Sequence, residues 1–160
     1  MEPLREGLPP VVGAGARVLI VGSFPSERSL EVGEYYANRR NQFWSLLGTI
    51  LDFDPALPYA ERIEAVTGRG VALWDVVHSC RRAGSMDHKI DRKSLTINDF
   101  DAFGAQHSTV AEVFVNGRTA FDLYERHVAS ALPFHRLPSS SPAAAAVPFE
   151  EKLEHWRAVV

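Results

Sequence analysis

RVLIVGSFPSERSLEVGEYYANRRNQFW, residues 17–44, decides the fold. Its apolar run Val18–Val21 stops at Gly22-Ser23-Phe24-Pro25-Ser26, and Tyr35-Tyr36 and Asn41-Gln42-Phe43-Trp44 follow before helical spacing begins. A short, wholly apolar run closed by glycine and proline reads as a strand buried on both faces, as strands of parallel sheets are. In open α/β sheets ligands bind beyond the carboxyl ends of strands, so the long aromatic loop after this strand is where a site belongs.

Three further runs share the character of the first: Gly70–Trp74, Glu112–Val115 and Phe134–Leu137. Helical spacing fills the intervals at Phe43–Leu51, Tyr59–Val66, Asp99–Gln106 and Arg118–Val128. Four strand–helix units in alternation predict a parallel sheet with helices on both faces. Pro148 opens a last helix, Phe149–Val159, in which Phe149, Leu153 and Trp156 recur on one side, and Ala143–Ala146 reads as a helical turn. The expectation is one α/β domain over residues 1–160.

Composition narrows the functional classes. Of the 160 residues 46% are hydrophobic and 23% charged, the balance of an ordinary folded domain, and no apolar run is long enough to span a bilayer. A soluble cytoplasmic protein is expected. Cys80 is the single cysteine, which rules out an internal disulfide, a multi-cysteine zinc site and a four-cysteine iron–sulfur cluster. A lone cysteine of this kind reads as a small core hydrophobe. A net charge of −3 argues against a protein that coats nucleic acid by bulk charge, yet Arg39-Arg40, Arg81-Arg82 and the segment Lys89 to Lys93 all follow strand ends, leaving room for a local basic rim.

Loops after the four strands converge on one edge, so their contents are read together. The first brings Gly22, Ser23, Tyr35, Tyr36 and Asn41, the second Asp75, Cys80, Arg81 and Gly84-Ser85-Met86-Asp87, the third Asn116-Gly117, the fourth Leu137-Pro138-Ser139-Ser140-Ser141-Pro142. Aromatic faces stack planar rings, amides hold water, and serines ahead of a helical turn suit a phosphate. Together they point to a nucleotide gripped by edge and face, with no metal cage.

Gly22-Ser23-Phe24-Pro25, Tyr35-Tyr36-Ala37, Asn41-x-Phe43-Trp44, Leu73-Trp74-Asp75-Val76-Val77, Gly84-Ser85-x-Asp87, Asn116-Gly117 and Leu137-Pro138-Ser139-Ser140-Ser141-Pro142-Ala143, in this order, resemble the hypoxanthine-DNA glycosylases of the uracil-DNA glycosylase superfamily. The resemblance runs from Arg17 to Trp156 and implies a three-layer α/β/α sandwich around a four-stranded parallel sheet. It implies an enzyme that excises a deaminated base from DNA, monomeric, without cofactor, metal or iron–sulfur cluster, and without membrane attachment. The related mismatch-specific enzymes carry Gly-Ile-Asn-Pro-Gly, whose Asn orients the attacking water; Phe24 stands at that place here.

By the same resemblance Asn41 takes over catalysis, since its amide oxygen can hold a water in line with the anomeric carbon. Asn41 also precedes a helix, where its oxygen would serve as a cap, and both roles stay open. Tyr36 matches the base-stacking aromatic, with Tyr35 left for packing. Asp75 is expected as an ionised carboxylate that accepts from the ring N–H of hypoxanthine or uracil, or else as a partner of Arg81 or Arg82. Backbone N–H groups of Gly22, Ser23 and Phe24 would face the departing base, and Ser139, Ser140 and Ser141 would bind DNA phosphates, with Ser141 also a cap. Ala143–Ala146 are small for a wedge that fills the gap left by an extruded base. His135 is a further candidate for catalysis. Two alternatives accompany this reading, a uracil-specific glycosylase and a non-catalytic nucleotide- or DNA-binding module.

Overall fold

The computed structural model describes residues 1–160 and begins with a short strand, β1, Leu4–Glu6. Val18–Gly22 follows as β2, every residue buried, as the unbroken apolar run requires of a central parallel strand. β3 (Val71–Asp75), β6 (Glu112–Asn116) and β7 (Phe134–Leu137) join it in the order β3-β2-β6-β7, all parallel. Side chains alternate across this sheet with the period of a strand. Leu19, Val21, Ala72, Trp74, Val113 and Val115 enter one core, and Val18, Ile20, Val71, Leu73 and Phe114 enter the other.

Helices α2 (Phe43–Leu51), α3 (Tyr59–Gly68) and α6 (Phe149–Trp156, continued by a 3-10 turn Arg157–Val159) cover the second core, contributing Phe43, Leu47, Val66, Leu153 and Trp156. Helices α4 (Phe100–Gln106) and α5 (Arg118–His127) cover the first with Phe103, Leu123 and Tyr124. The three-layer α/β/α sandwich around a four-stranded parallel sheet is therefore present, and the residues predicted as strands and helices occupy those elements to within a few positions at their ends. Asp99, placed inside the fourth helix by its spacing, is its cap: its carboxylate accepts from Ala102 N–H at 3.0 Å.

Two features depart from the sequence reading. The stretch after β3, read as a loop, is a hairpin of β4 (Val77–Arg82) and β5 (Ile90–Ile97), to which β1 adds an antiparallel edge in the order β1-β4-β5. Its strands are polar, and irregularities between Val77 and Ser79 and between Ser79 and Arg81 break their alternation, which hides the period-2 signal. The loop after β2 also contains a short helix, α1 (Glu27–Val32), capped by Ser26 Oγ on Ser29 N–H at 3.1 Å and closed by Gly33 at φ 72°.

Candidate active site

Parallel register sets the floor of the site. Gly22 pairs with Asp75, Val21 with Val115, and Asn116 with Leu137, so Asp75, Gly22, Asn116 and Leu137 form one row across the carboxyl edge of the sheet. Glycine at position 22 makes room for two side-chain ends: a Cβ there would lie 2.6 Å from Asp75 Oδ1 and 2.9 Å from the Tyr36 hydroxyl, and one of them would have to move.

Tyr36 stands over this row in a left-handed conformation, φ 54°, which costs a side-chain-bearing residue about 1–3 kcal/mol and persists only where the surroundings over-determine it. They do so here. Its ring stacks on Phe43 at 3.8 Å and 12°, and its hydroxyl accepts from Asn116 Nδ2 at 3.3 Å. Burial and the nearby Asp75 raise its phenol well above the usual range. Tyr35 turns inward instead: 3% exposed, it donates its hydroxyl to the Pro9 carbonyl at 2.7 Å.

Asn116 ties the first and fourth loops together. Its Nδ2 donates to Ser140 Oγ at 2.9 Å while its Oδ1 accepts Ser140 N–H at 3.0 Å. Gly117 follows at φ 93°, where a Cβ would sit 3.0 Å from the Ser139 side chain. Ser140 is 0% exposed with its hydroxyl and N–H turned to Asn116, so its side chain serves the interior, a correction to its expected place on a phosphate. Ser139 and Ser141 are half-buried, and their hydroxyls accept Ser141 N–H and Ala143 N–H, which leaves each O–H proton for an outside acceptor.

Asn41 sits one residue ahead of Gln42, the cap position of α2, and its Oδ1 accepts Phe43 N–H at 2.9 Å, an Asx turn that leads into the helix. An amide oxygen has two acceptor positions, and one remains for a water. Gln42 beside it is fixed by the buried Lys152, whose Nζ donates to Gln42 Oε1 at 2.8 Å, and by its own N–H on the Ser140 carbonyl at 2.9 Å.

Phe24 confirms by its placement that it cannot hold a water. Its ring is 7% exposed in the first core, beneath the Arg82 guanidinium at 5.1 Å. Asp75 is 5% exposed and pairs with neither Arg81 nor Arg82: Arg81 reaches the Glu2 carbonyl, and Arg82 donates to the carbonyls of Pro25 and Gly84. Burial first, then the charge of Asp87, push the Asp75 carboxyl up to about 7. Burial thus works against the permanent ionisation expected from the sequence.

Asp87 was not assigned a role from sequence although its Gly84-Ser85-x-Asp87 block was visible. It accepts the Ser23 hydroxyl at 2.7 Å and brings a second acid, itself raised by burial, to the site from the β4–β5 turn. The hairpin had to be recognised before this convergence could be. His135 pairs with Glu112 at 2.9 Å, lower on the sheet, and has no place at the edge. Cys80 is a fully buried core residue whose thiol is raised by burial.

An edge of this kind, with an acid, an amide and an aromatic ring at the carboxyl ends of parallel strands, carries the stacking face and hydrogen-bonding groups that a planar ring needs. The family model of the uracil DNA glycosylase superfamily matches residues 9–160. Hypoxanthine DNA glycosylase of Methanosarcina barkeri is 35% identical over 115 residues, 71% of this chain and 72% of its own length. Hypoxanthine DNA glycosylase of Methanosarcina acetivorans is 30% identical over 141 residues, 88% of each chain. The solution NMR structure of a protein from the same organism, described provisionally as a uracil DNA glycosylase, superposes with a TM-score of 0.84 at 31% identity, covering 98% of this chain and 96% of its own. The chain belongs to the uracil DNA glycosylase superfamily. No helix is long and apolar enough to cross a membrane.

Proposed function

We propose that this protein is a monofunctional DNA glycosylase that releases hypoxanthine, and more slowly other deaminated bases, acting as a monomer without metal or cofactor. The observation that carries this reading is the single row of Asp75, Gly22 and Asn116 beneath the strained Tyr36, with Asn41 at the head of the adjoining helix. The relatives from Methanosarcina support hypoxanthine as the leading substrate.

The extruded base stacks on the face of Tyr36 turned away from Phe43, and its edge meets Asp75. The C1′–N9 bond breaks with its electron pair leaving on the base, and backbone N–H groups of Gly22, Ser23 and Phe24 face the charge that gathers there. A water held by Asn41 Oδ1 adds its oxygen to the oxocarbenium-like anomeric carbon. One of its protons ends on the base, so the products are hypoxanthine and an abasic site. Ser139 and Ser141 donate to the flanking phosphates, while Ser140 holds their loop against Asn116.

Oligonucleotides carrying inosine, uracil or xanthine, in single strands and in duplexes, are incubated with the protein and then treated with alkali. Cleavage at inosine is expected to be fastest, and Asn41→Ala should lower it at least a hundredfold. No cleavage in any strand context overturns the enzyme reading; an undiminished Asn41→Ala variant overturns the role of that residue alone.

A further inference from the structure

We propose that Asp75 reads the base as an un-ionised carboxylic acid, its Oδ2–H donating to the carbonyl oxygen that deamination leaves where an amino group stood. This inference deepens the glycosylase reading and rests on it.

The geometry around the two oxygens differs. Oδ1 is pressed onto Gly22, close enough that a methyl group there would meet it at 2.6 Å. Oδ2 is buried and has no hydrogen-bond partner in the protein. A buried carboxylate oxygen without a donor is among the costliest polar groups a protein can hold, and binding a proton removes most of that cost. That proton has no acceptor within the protein, and the carbonyl of an extruded base is the acceptor it meets.

The polar and titratable groups around Asp75 come from several elements, and the Gly22 backbone N–H is one that favours the charged form. The strand partner of Asp75 offers Gly22, and the first loop offers the Tyr36 hydroxyl, with Tyr35 beyond it. The β4–β5 turn contributes the Asp87 carboxyl, which accepts from Ser23 and repels a second negative charge. Strand β4 contributes Arg82, whose Nε and Nη2 donate to the Gly84 and Pro25 carbonyls while its Nη1 has no partner; its charge favours an ionised Asp75 but is outweighed by burial and by Asp87. Asn98 reaches only the Asp75 backbone carbonyl, at 2.7 Å. None of the ion pairs in the molecule includes Asp75. The charge of Asp87 disfavours a second charge on Asp75, which is the better buried of the two acids. Its displaced carboxyl, at about 7, agrees.

An O–H donor at this place sorts bases by the feature deamination changes. Adenine and cytosine present an exocyclic amino group, a donor that cannot accept it; hypoxanthine, xanthine and uracil present a carbonyl that can. An ionised Oδ2 would do the reverse, accepting from an amino group and repelling a carbonyl oxygen. The neutral acid also gains strength as the reaction proceeds, because negative charge spreads to that carbonyl as the base departs, whereas a carboxylate would oppose it.

The test is the pH dependence of kcat/KM on inosine-containing DNA between pH 5.5 and 8.5, for the wild type, D75N, D75L and D87N. The wild type should be level up to about pH 6.5 and fall tenfold per unit above 7, to about thirtyfold below its plateau at pH 8.5. D75N presents a permanent donor and should run level across the range, within about tenfold of the wild-type plateau. D75L should lose at least a hundredfold throughout, and D87N should move the wild-type limb to lower pH by removing the repelling charge. Inosine activity that rises with pH, or a D75N profile that keeps the wild-type alkaline limb, overturns the proposal and leaves the glycosylase reading standing. A wild type inactive on every deaminated base overturns both. If D75N fails to fold, carbon-13 NMR of aspartate carboxyls in the wild type decides: an Asp75 midpoint near neutrality supports the neutral acid, and one near 4 overturns it.

Discussion

Gly22 and Asp75 face one another across the parallel pair of strands at the bottom of the site, with Asp75 Oδ1 only 2.6 Å from where a Gly22 side chain would begin. The Tyr36 hydroxyl is 2.9 Å from the same point. One missing methyl group therefore lets an acid and a phenol meet over a strand end, and backbone N–H groups remain close to whatever lies above them.

Gly22→Ala should disturb chemistry more than stability. The new Cβ forces Asp75 or Tyr36 out of place, an overpacking cost of about 1–3 kcal/mol. For a chain of this length that is a melting shift of roughly 2–12 °C, while cleavage at inosine should fall at least a hundredfold. Thermal unfolding and the abasic-site assay on the same preparation separate the two. Full activity in the folded variant would show that the close approach is not used.

Asn116 is the joint between the first and fourth loops, and its removal should be felt in both. Asn116→Ala leaves Ser140 N–H buried without an acceptor, which costs about 1–3 kcal/mol, and frees the Tyr36 hydroxyl. Hydrogen exchange at the Ser140 amide should accelerate by one to two orders of magnitude, about what that loss implies. Unchanged protection there would mean that the loop is held by its other contacts, such as the Ser140 carbonyl on Gln42 N–H.

Much of this architecture was legible in the sequence because the parallel strands are wholly apolar and bounded by turn residues. That contrast alone places strands at Val18–Val21 and Gly70–Trp74, within one residue at each end of the observed Val18–Gly22 and Val71–Asp75. The polar hairpin was not, since Val77–Arg82 and Ile90–Ile97 lack clean alternation and no short glycine turn joins them. Asp87 was hidden by the same failure, because its proximity to Ser23 exists only once that hairpin folds back. Phe24, Tyr35 and Tyr36 were assigned in sequence from their places in the motif. What the motif could not tell was protonation: the state of Asp75 depends on a neighbour twelve residues away and on burial, neither of which local spacing records.

Arg39 and Arg40 are exposed immediately before Asn41, at the rim of the site. If they meet DNA phosphates, replacing either by alanine reduces the slope of log affinity against log salt by up to about one, and the double variant by up to about two. Binding to an undamaged strand and to one carrying inosine should weaken equally, since a phosphate contact carries no sequence information. Salt titrations of both arginine variants check this; a slope equal to that of the wild type assigns them to solvent.

Stability against pH offers a measurement independent of catalysis. A carboxyl raised in the folded state binds its proton more tightly there than in the unfolded chain, whose value is 3.8, so its contribution to stability is full below about 4 and is lost as pH rises to about 7. Over that window the single group removes at most about 4 kcal/mol, at 1.36 kcal/mol per unit, and above it the curve levels. D75N should remove the Asp75 share of this decline, leaving that of Asp87, and be the more stable protein at pH 8, because an amide fills the site without a charge to desolvate. Urea unfolding of both proteins from pH 4 to pH 8 reads the difference. A wild-type minus D75N difference that climbs through this range, as it does for an acid held below its usual value, would mean that Asp75 is ionised in the folded protein.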